Sequence, residues 1–544
     1  MDEQGGRLKK NIFKILIIVV CFVAILLLAV KSPKLPDVQD TPQLAEDEDG
    51  LGITGDESGT AEELSGITDV TETIELVNNP KLRILITTAD FMGNVHETVK
   101  VTSNEAFKLM GEDGTVFAEY NAWEIIDLDD YDLKTDENLI FESEGQMQIL
   151  SLQRAQGTPS YYGSLQIYKE STGYSIINVV PMEDYLLTVV PSEMPSTYPL
   201  EALKAQAICA RSYAYHHVIN ASGLPREANM NDSTDYQVYN NIQETESTTQ
   251  AIKETEGMIL TRDGIPVSTY FFSTSCGFTT DETIWKEYFA GVDSEANEEL
   301  KMVYQTGQTE EPQEIMFYPV AVAKDSAVET FSTDSGLGIL YTADALSEEN
   351  NFRAYLQSDT KDFLEAEEQW YRWTYSGNIT SEGIGERLAA RYAARPDLIL
   401  TYDEDNNNYV NRTIGEVGKI TNIEVIKRLD GGVADELLIE TEKDSYLVIG
   451  EYNIRYVLSD GVSEVIRNDG SAVVVSNLLP SAYFIIEPES TASGEVETIY
   501  LTGGGYGHGV GMSQNGAKQA ALQGMTCEEI LALFYGGLEL AEVK

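Results

Sequence analysis

Glu193 is the residue whose setting most suggests chemistry. It lies in the run Glu183 to Pro195, in a turn between Pro191 and Pro195 that feeds a helix start, and beside Val189, Val190 and Met194. Apolar neighbours desolvate a carboxyl and raise its pKa towards the value a general acid needs, whereas the N-terminus of a following helix would lower it. The position equally suits a plain capping residue, and residue types alone leave these two readings level. A second constellation is Asp232-Ser233-Thr234-Asp235-Tyr236-Gln237-Val238-Tyr239, with Tyr270 to Thr279 further on. Its hydroxyls, rings and amide are the groups that cover the apolar face of a sugar and bond its edge, which marks Gln237, Tyr239, Ser273 and Ser275. Ordinary strand and turn is the competing reading. Cys276 has no thiolate-stabilising neighbour in sequence and reads as a packed thiol. The third is Gly503 to Ala517, containing Tyr506, His508, Ser513 and Gln514. Its six glycines from Gly503 to Gly511 call for backbone in close approach, either to a ligand or to another part of the chain. It lacks the phosphate-loop spacing. Lys204 and Arg211 are cations close to Glu193 in sequence and are further candidates for substrate contact. His216-His217 reads as a helix-end pair.

These residues need elements to hold them. Arg83 to Thr88, Ser164 to Tyr168 and Ser175 to Val180 read as strands, the last two around a Ser-Thr-Gly turn. Pro199 to Tyr215 reads as a helix with Ser196 or Thr197 near its cap and one apolar stripe through Leu203, Ala207, Ala210 and Ala214. Strands are expected again at Ile423 to Ile426, Glu436 to Glu440 and Ser445 to Ile449, and two helical stretches after the glycine-rich loop. The fold class is therefore α+β, β-rich with a few helices.

The organisation starts with a basic tail, residues 1–11, and an apolar run, residues 12–30, that nearly spans the ~30 Å hydrocarbon core of a bilayer as a helix. The basic residues before it place the tail inside and everything after Lys31 outside, a single-pass membrane protein with an extracytoplasmic body. The run ends in Ala29-Val30-Lys31-Ser32-Pro33-Lys34, which fits signal cleavage poorly. Residues 31–79 form an acidic spacer, with thirteen Asp and Glu from Asp37 to Glu75 and no base between Lys34 and Lys81. A β-rich region (80–160), a region holding the first two constellations (161–295), an acidic insertion of mixed structure (296–402) and a β-rich closing region (403–544) follow. With 36 Lys and Arg against 90 Asp and Glu, the net charge of −54 argues against a nucleic-acid partner. Four Cys and four His, without CxxC or HExxH spacing, give no expectation of a metal, a cofactor or a disulfide scaffold.

Taken together, the ordered motifs resemble the SpoIID/LytB family, the group of stage II sporulation protein D and the amidase enhancer. The resemblance rests on Glu183-Asp184-Tyr185 through Glu193-Met194-Pro195, on Glu201 to Ala207 with Ala210-Arg211-Ser212-Tyr213, on Gln237-Val238-Tyr239, and on Tyr506 to Gln514 with Gly516-Ala517. Ile454-Arg455 and Leu479-Pro480-Ser481 agree more weakly. It implies a cell-wall protein and a lytic transglycosylase that cuts glycan strands stripped of stem peptides, leaving 1,6-anhydro-muramic ends. The glutamate before Met-Pro, here Glu193, would be the catalytic acid. It implies peptidoglycan as the partner, with a cell-wall amidase or sporulation engulfment proteins as further partners. A non-catalytic wall-binding amidase enhancer, or a component of a sporulation complex, is the alternative that it leaves open. Some members bind zinc through Cys and His before the Gln-x-Tyr motif; here neither residue occurs between Asn220 and Gln237, so that site is not expected.

Overall fold

The computed structural model describes residues 76–154, 156–220, 222–239, 242–285, 320–322, 331–332, 340–358, 363–475 and 477–543. The expected membrane span and nearly all of the acidic spacer lie outside these residues. Among the described residues no helix is long and apolar enough to cross a membrane.

The mixed α+β architecture is present, with several sheets and eight α-helices among the described residues. Residues from Lys81 to Asn231 build a seven-stranded sheet in the order Met230–Asn231, Lys81–Ile86, Tyr174–Pro181, Ser164–Lys169, Asn138–Ser143, Phe107–Met110, Val116–Tyr120. All pairings are antiparallel except Lys81–Ile86 with Met230–Asn231. The hairpin around the Ser-Thr-Gly turn sits at its centre, with Tyr174 opposite Lys169. Leu82, Ile84, Ile176 and Val180 pack in one core with Val101, Met147 and Ile149 of a four-stranded sheet.

Two five-stranded sheets form the second half. In one, Trp373–Asn378 is the middle strand, flanked by Glu464–Arg467 and Val496–Gly503. The segment read as an acidic insertion thus supplies a sheet's central strand, because Trp373, Tyr375 and Gly377 alternate inward with exposed partners between them. The other sheet runs Asn408–Val410, Ile399–Asp403, Ser445–Ile449, Ala434–Thr441, Ile420–Arg428, and includes the three strands expected there.

Helix α1 (Met182–Glu193) and helix α2 (Leu200–Ile219) connect the halves. Helix α2 does not carry a single stripe. Thirteen of its twenty residues are buried, on all sides, as in a helix enclosed by protein. Ala202, Leu203, Ala205, Ile208 and Cys209 join the core of the second half, while Ala207, Ala210, Tyr213 and Ala214 join that of the first. Pro199 caps the helix without a side-chain bond, in place of Ser196 or Thr197. The remaining helices are α3 (Glu246–Glu254), α4 (Glu349–Leu356), α5 (Ser381–Ala394), α6 (Glu451–Leu458), α7 (Gln514–Leu522) and α8 (Cys527–Phe534).

Candidate active site around Glu193

Glu193 is the last residue of α1, with Pro191 inside the helix and Met194 beyond the end already extended. The sequence suggested a turn leading into a helix start, but the observed position is a helix C-terminus. There the helix dipole disfavours a negative charge. The carboxyl is half-buried, and Oε1 accepts a hydrogen bond from the Val238 N–H at 2.6 Å. Desolvation pushes its pKa from 4.5 to about 7, with the Val238 bond pulling the other way. Oε1 is thus engaged by a donor, so the proton of the acid form resides on Oε2. At neutral pH the group can both give and take a proton.

The Val238 N–H is aimed by the loop around it. At one end Asp232 is buried, with Oδ2 2.5 Å from Arg154 Nη2 and Oδ1 accepting from the Thr87 N–H at 2.9 Å and its hydroxyl at 2.6 Å. At the other end the Gln237 amide donates to the Ala210 carbonyl at 3.1 Å and accepts from the Tyr185 hydroxyl at 3.3 Å. The buried Tyr239 hydroxyl donates to Asn178 Oδ1 at 3.0 Å, and its ring lies 4.9 Å from that of Tyr185. Gln237 and Tyr239 therefore face inward, and the residue between them meets the carboxyl.

The glycine-rich segment approaches from the other side. Phe271–Phe272 pairs in parallel with Met512–Ser513, joining two of the three constellations. Gln514 donates from Nε2 to the Glu193 carbonyl at 2.9 Å and lies 3.4 Å from Gln206 Oε1 of α2. Ser513 caps α7 through the Gly516 N–H and donates to Glu365 Oε1 at 2.6 Å. Glu365 is fully buried, and both the N–H (3.0 Å) and the hydroxyl of Ser275 donate to it. Burial pushes its pKa to about 7 against the pull of these donors. Glu365, Gln206 and the Val238 N–H are the parts of the site that sequence reasoning missed. An acid directly after Phe363-Leu364 was a signal for Glu365, masked by Asp362, Glu367 and Glu368 around it.

Several candidates serve the framework. Arg211 is buried and bidentate to Glu183 at 2.7 and 2.8 Å, with Met258 and Ile252 carbonyls as further acceptors. Lys204 bridges Glu201 at 2.9 Å and Glu254 at 2.7 Å, which raises its pKa. Neither forms a hydrogen bond or ion pair with Glu193. Ser273 offers its carbonyl to the Asn515 N–H at 2.9 Å and the Ser513 hydroxyl at 3.4 Å. Tyr506 is 40% exposed, and its ring stands 4.7 Å from that of Trp370. His508 accepts the Val510 N–H on Nδ1 at 3.1 Å and donates from Nε2 to the Phe271 carbonyl at 3.0 Å, which fixes a neutral tautomer. Desolvation holds its pKa down at about 4, so it supplies shape and no proton. The glycines approach the chain's own atoms: a Cβ on Gly509 would stand 2.1 Å from the Tyr483 hydroxyl, and one on Gly511 2.1 Å from the Tyr270 carbonyl. Cys276 is buried with its pKa pushed up to about 11, an inert thiol.

The geometry defines an α+β protein with one half-buried carboxyl positioned by three converging segments. Residues 170–262 match the family described as stage II sporulation protein, and residues 322–511 match a domain of unknown function. The match at residues 170–262 is to the family that the motifs resemble. It is similar to the stage II sporulation protein D of Bacillus subtilis, 34% identical over 137 residues, 22% of this chain and 39% of that protein. It is also similar to the amidase enhancer of Bacillus subtilis, 24% identical over 355 residues, 65% of this chain and 39% of that protein. An uncharacterized protein of Brachyspira hyodysenteriae is 36% identical over 147 residues, 27% of this chain and 37% of its own length. The chain spans 37% to 39% of the length of these relatives.

Proposed function

We propose that this protein is a membrane-anchored lytic transglycosylase of the cell wall, with its body outside the membrane, acting on peptidoglycan strands stripped of stem peptides. The observation that carries the reading is the Glu193 carboxyl, raised to about 7 with no charged neighbour contributing. Such an acid donates its Oε2 proton to the glycosidic oxygen after muramic acid, and the carboxylate then takes the proton of the muramic C6 hydroxyl as that oxygen closes the 1,6-anhydro ring. The substrate supplies the nucleophile, so one carboxyl serves both steps and no second carboxylate is required. Likeness to a stage II sporulation protein supports a role in sporulation or wall remodelling. The test is to incubate the full-length chain with stripped strands and identify product ends by mass. Glu193→Gln is expected to abolish anhydro ends and to keep strand binding; unchanged product formation would overturn the assignment.

A second reading is favoured by the breadth of the likeness to an amidase enhancer, which runs well beyond the sporulation domain. In that case the chain binds the wall and stimulates an amidase. It predicts no anhydro ends from the purified chain and a rise in the activity of an added amidase.

A further inference from the structure

Beyond the carboxyl, an aromatic row leads away from the site. It starts at Tyr236, two residues before Val238, and continues through His217 (5.3 Å between rings), Tyr213 (4.7 Å), Tyr270 (5.8 Å) and Trp285 (4.5 Å). Tyr236, His217 and Tyr270 are partly exposed and Trp285 is 40% exposed, so the row offers ring faces to solvent. At its far end is a pocket of about 230 Å³ lined by Trp285, Arg391, Arg395, Glu451, Tyr452 and Asn453, among others. This is below the roughly 300–1,000 Å³ of pockets that enclose a whole drug-sized ligand, and suits one sugar or one substituent.

Charge in this pocket is unbalanced in an unusual direction. Glu451 is paired with Arg455 at 2.8 Å and Arg395 with Asp397 at 2.7 Å. Arg391 has no carboxylate partner among the described residues, in a chain with 90 acids to 36 bases. Its Nε donates to Asn453 Oδ1 at 2.6 Å, and its guanidinium lies 4.8 Å over the Tyr452 ring. Desolvation and the nearby Arg395 lower its pKa, and no acid figures among the influences that raise it. A half-buried guanidinium held in place, with Nη1 and Nη2 making no hydrogen bond to the described residues, is a ready fork for a carboxylate.

Resting on the glycan reading above, we propose that this pocket binds the free lactyl carboxylate of a muramic acid residue through Arg391, with the strand laid along the aromatic row. Removing the stem peptide converts the lactyl amide into a carboxylate, and a polymer of N-acetylglucosamine carries neither group. The pocket would therefore select stripped strands by charge, and residues 322–511 acquire a role as the specificity element.

The test measures binding of the full-length chain to stripped glycan strands and to neutral N-acetylglucosamine oligomers by calorimetry. Arg391→Met is expected to weaken the stripped strand by about tenfold or more, the loss of one charge-assisted pair, and to leave the neutral oligomer unchanged. Arg391→Lys restores part of the loss, and added salt weakens the parent more than the Met variant. Equal weakening towards both ligands, or none towards either, overturns the proposal. Binding is read apart from turnover. If the parent yields no anhydro ends while the Arg391 dependence holds, the reaction falls and the subsite is upheld. If anhydro ends form and Arg391→Met binds stripped strands like the parent, the subsite alone is overturned.

Discussion

Replacing Glu193 by Gln should stabilise the protein at alkaline pH, and the size of the effect follows from the site. Folding raises the carboxyl from 4.5 to about 7, so the folded state favours the protonated form. That contribution is intact below pH ~4.5 and is lost as the pH climbs through 7. Ionising the group in place then costs up to roughly 3 kcal/mol, at about 1.4 kcal/mol per pKa step. Solvent reaching the half-buried carboxyl screens part of this, which leaves about 1–3 kcal/mol. Glutamine keeps an acceptor for the Val238 N–H and never ionises. The variant and the parent should therefore show equal urea midpoints at pH 4, and the variant the higher midpoint at pH 8. A variant less stable than the parent at pH 8, or a difference that does not change with pH, would refute the idea that burial without a countercharge poises this carboxyl.

Other consequences can be checked separately. Arg154→Met leaves the buried Asp232 without its cation and should cost about 3–5 kcal/mol in denaturant unfolding. Glu365→Ala removes the acceptor shared by Ser275 and Ser513 and should cost about 2–4 kcal/mol. Because Ser513 then loses its acceptor next to Gln514, which bonds the Glu193 carbonyl, kcat for anhydro-product release should fall further than KM changes. Gly509→Ala places a methyl against Tyr483 at a φ of 88° and should cost about 1–3 kcal/mol, read as a lower thermal midpoint. With Glu193 as the general acid, product formation should decline as pH rises above about 7.

How much of this was legible in the sequence depends on how local each signal is. The hairpin of Ser164–Lys169 with Tyr174–Pro181 was readable because alternation and a short turn are neighbouring features. The Glu193 motif was readable as a carboxyl among apolar residues, but its place at a helix end was not, since two prolines in five residues read as a turn. Pro191 fits inside α1 all the same. Gln237 and Tyr239 were found as residues, while their part is to hold the Val238 amide, which carries no side-chain signal. Arg211 looked available for a ligand because its partner Glu183 lies far along the chain, and Lys204 because Glu254, which joins the nearby Glu201 in holding it, does too. Glu365 was hidden for the same reason: its donors are 90 and 148 residues away.

Helix α2 has a further consequence for how the molecule comes apart. Its two faces belong to two cores, so neither half can open without stripping apolar surface from the other. Amide protons at the middle of the helix, around Ile208 and Ala210, should exchange with solvent deuterium only through global unfolding, and with one shared protection factor. A fragment ending near Arg262 would expose Leu203, Ala205 and Ile208 to water and should collect in inclusion bodies. Residues of the segment 322–511 share one of these cores with α2, so that segment expressed alone should likewise fail to fold.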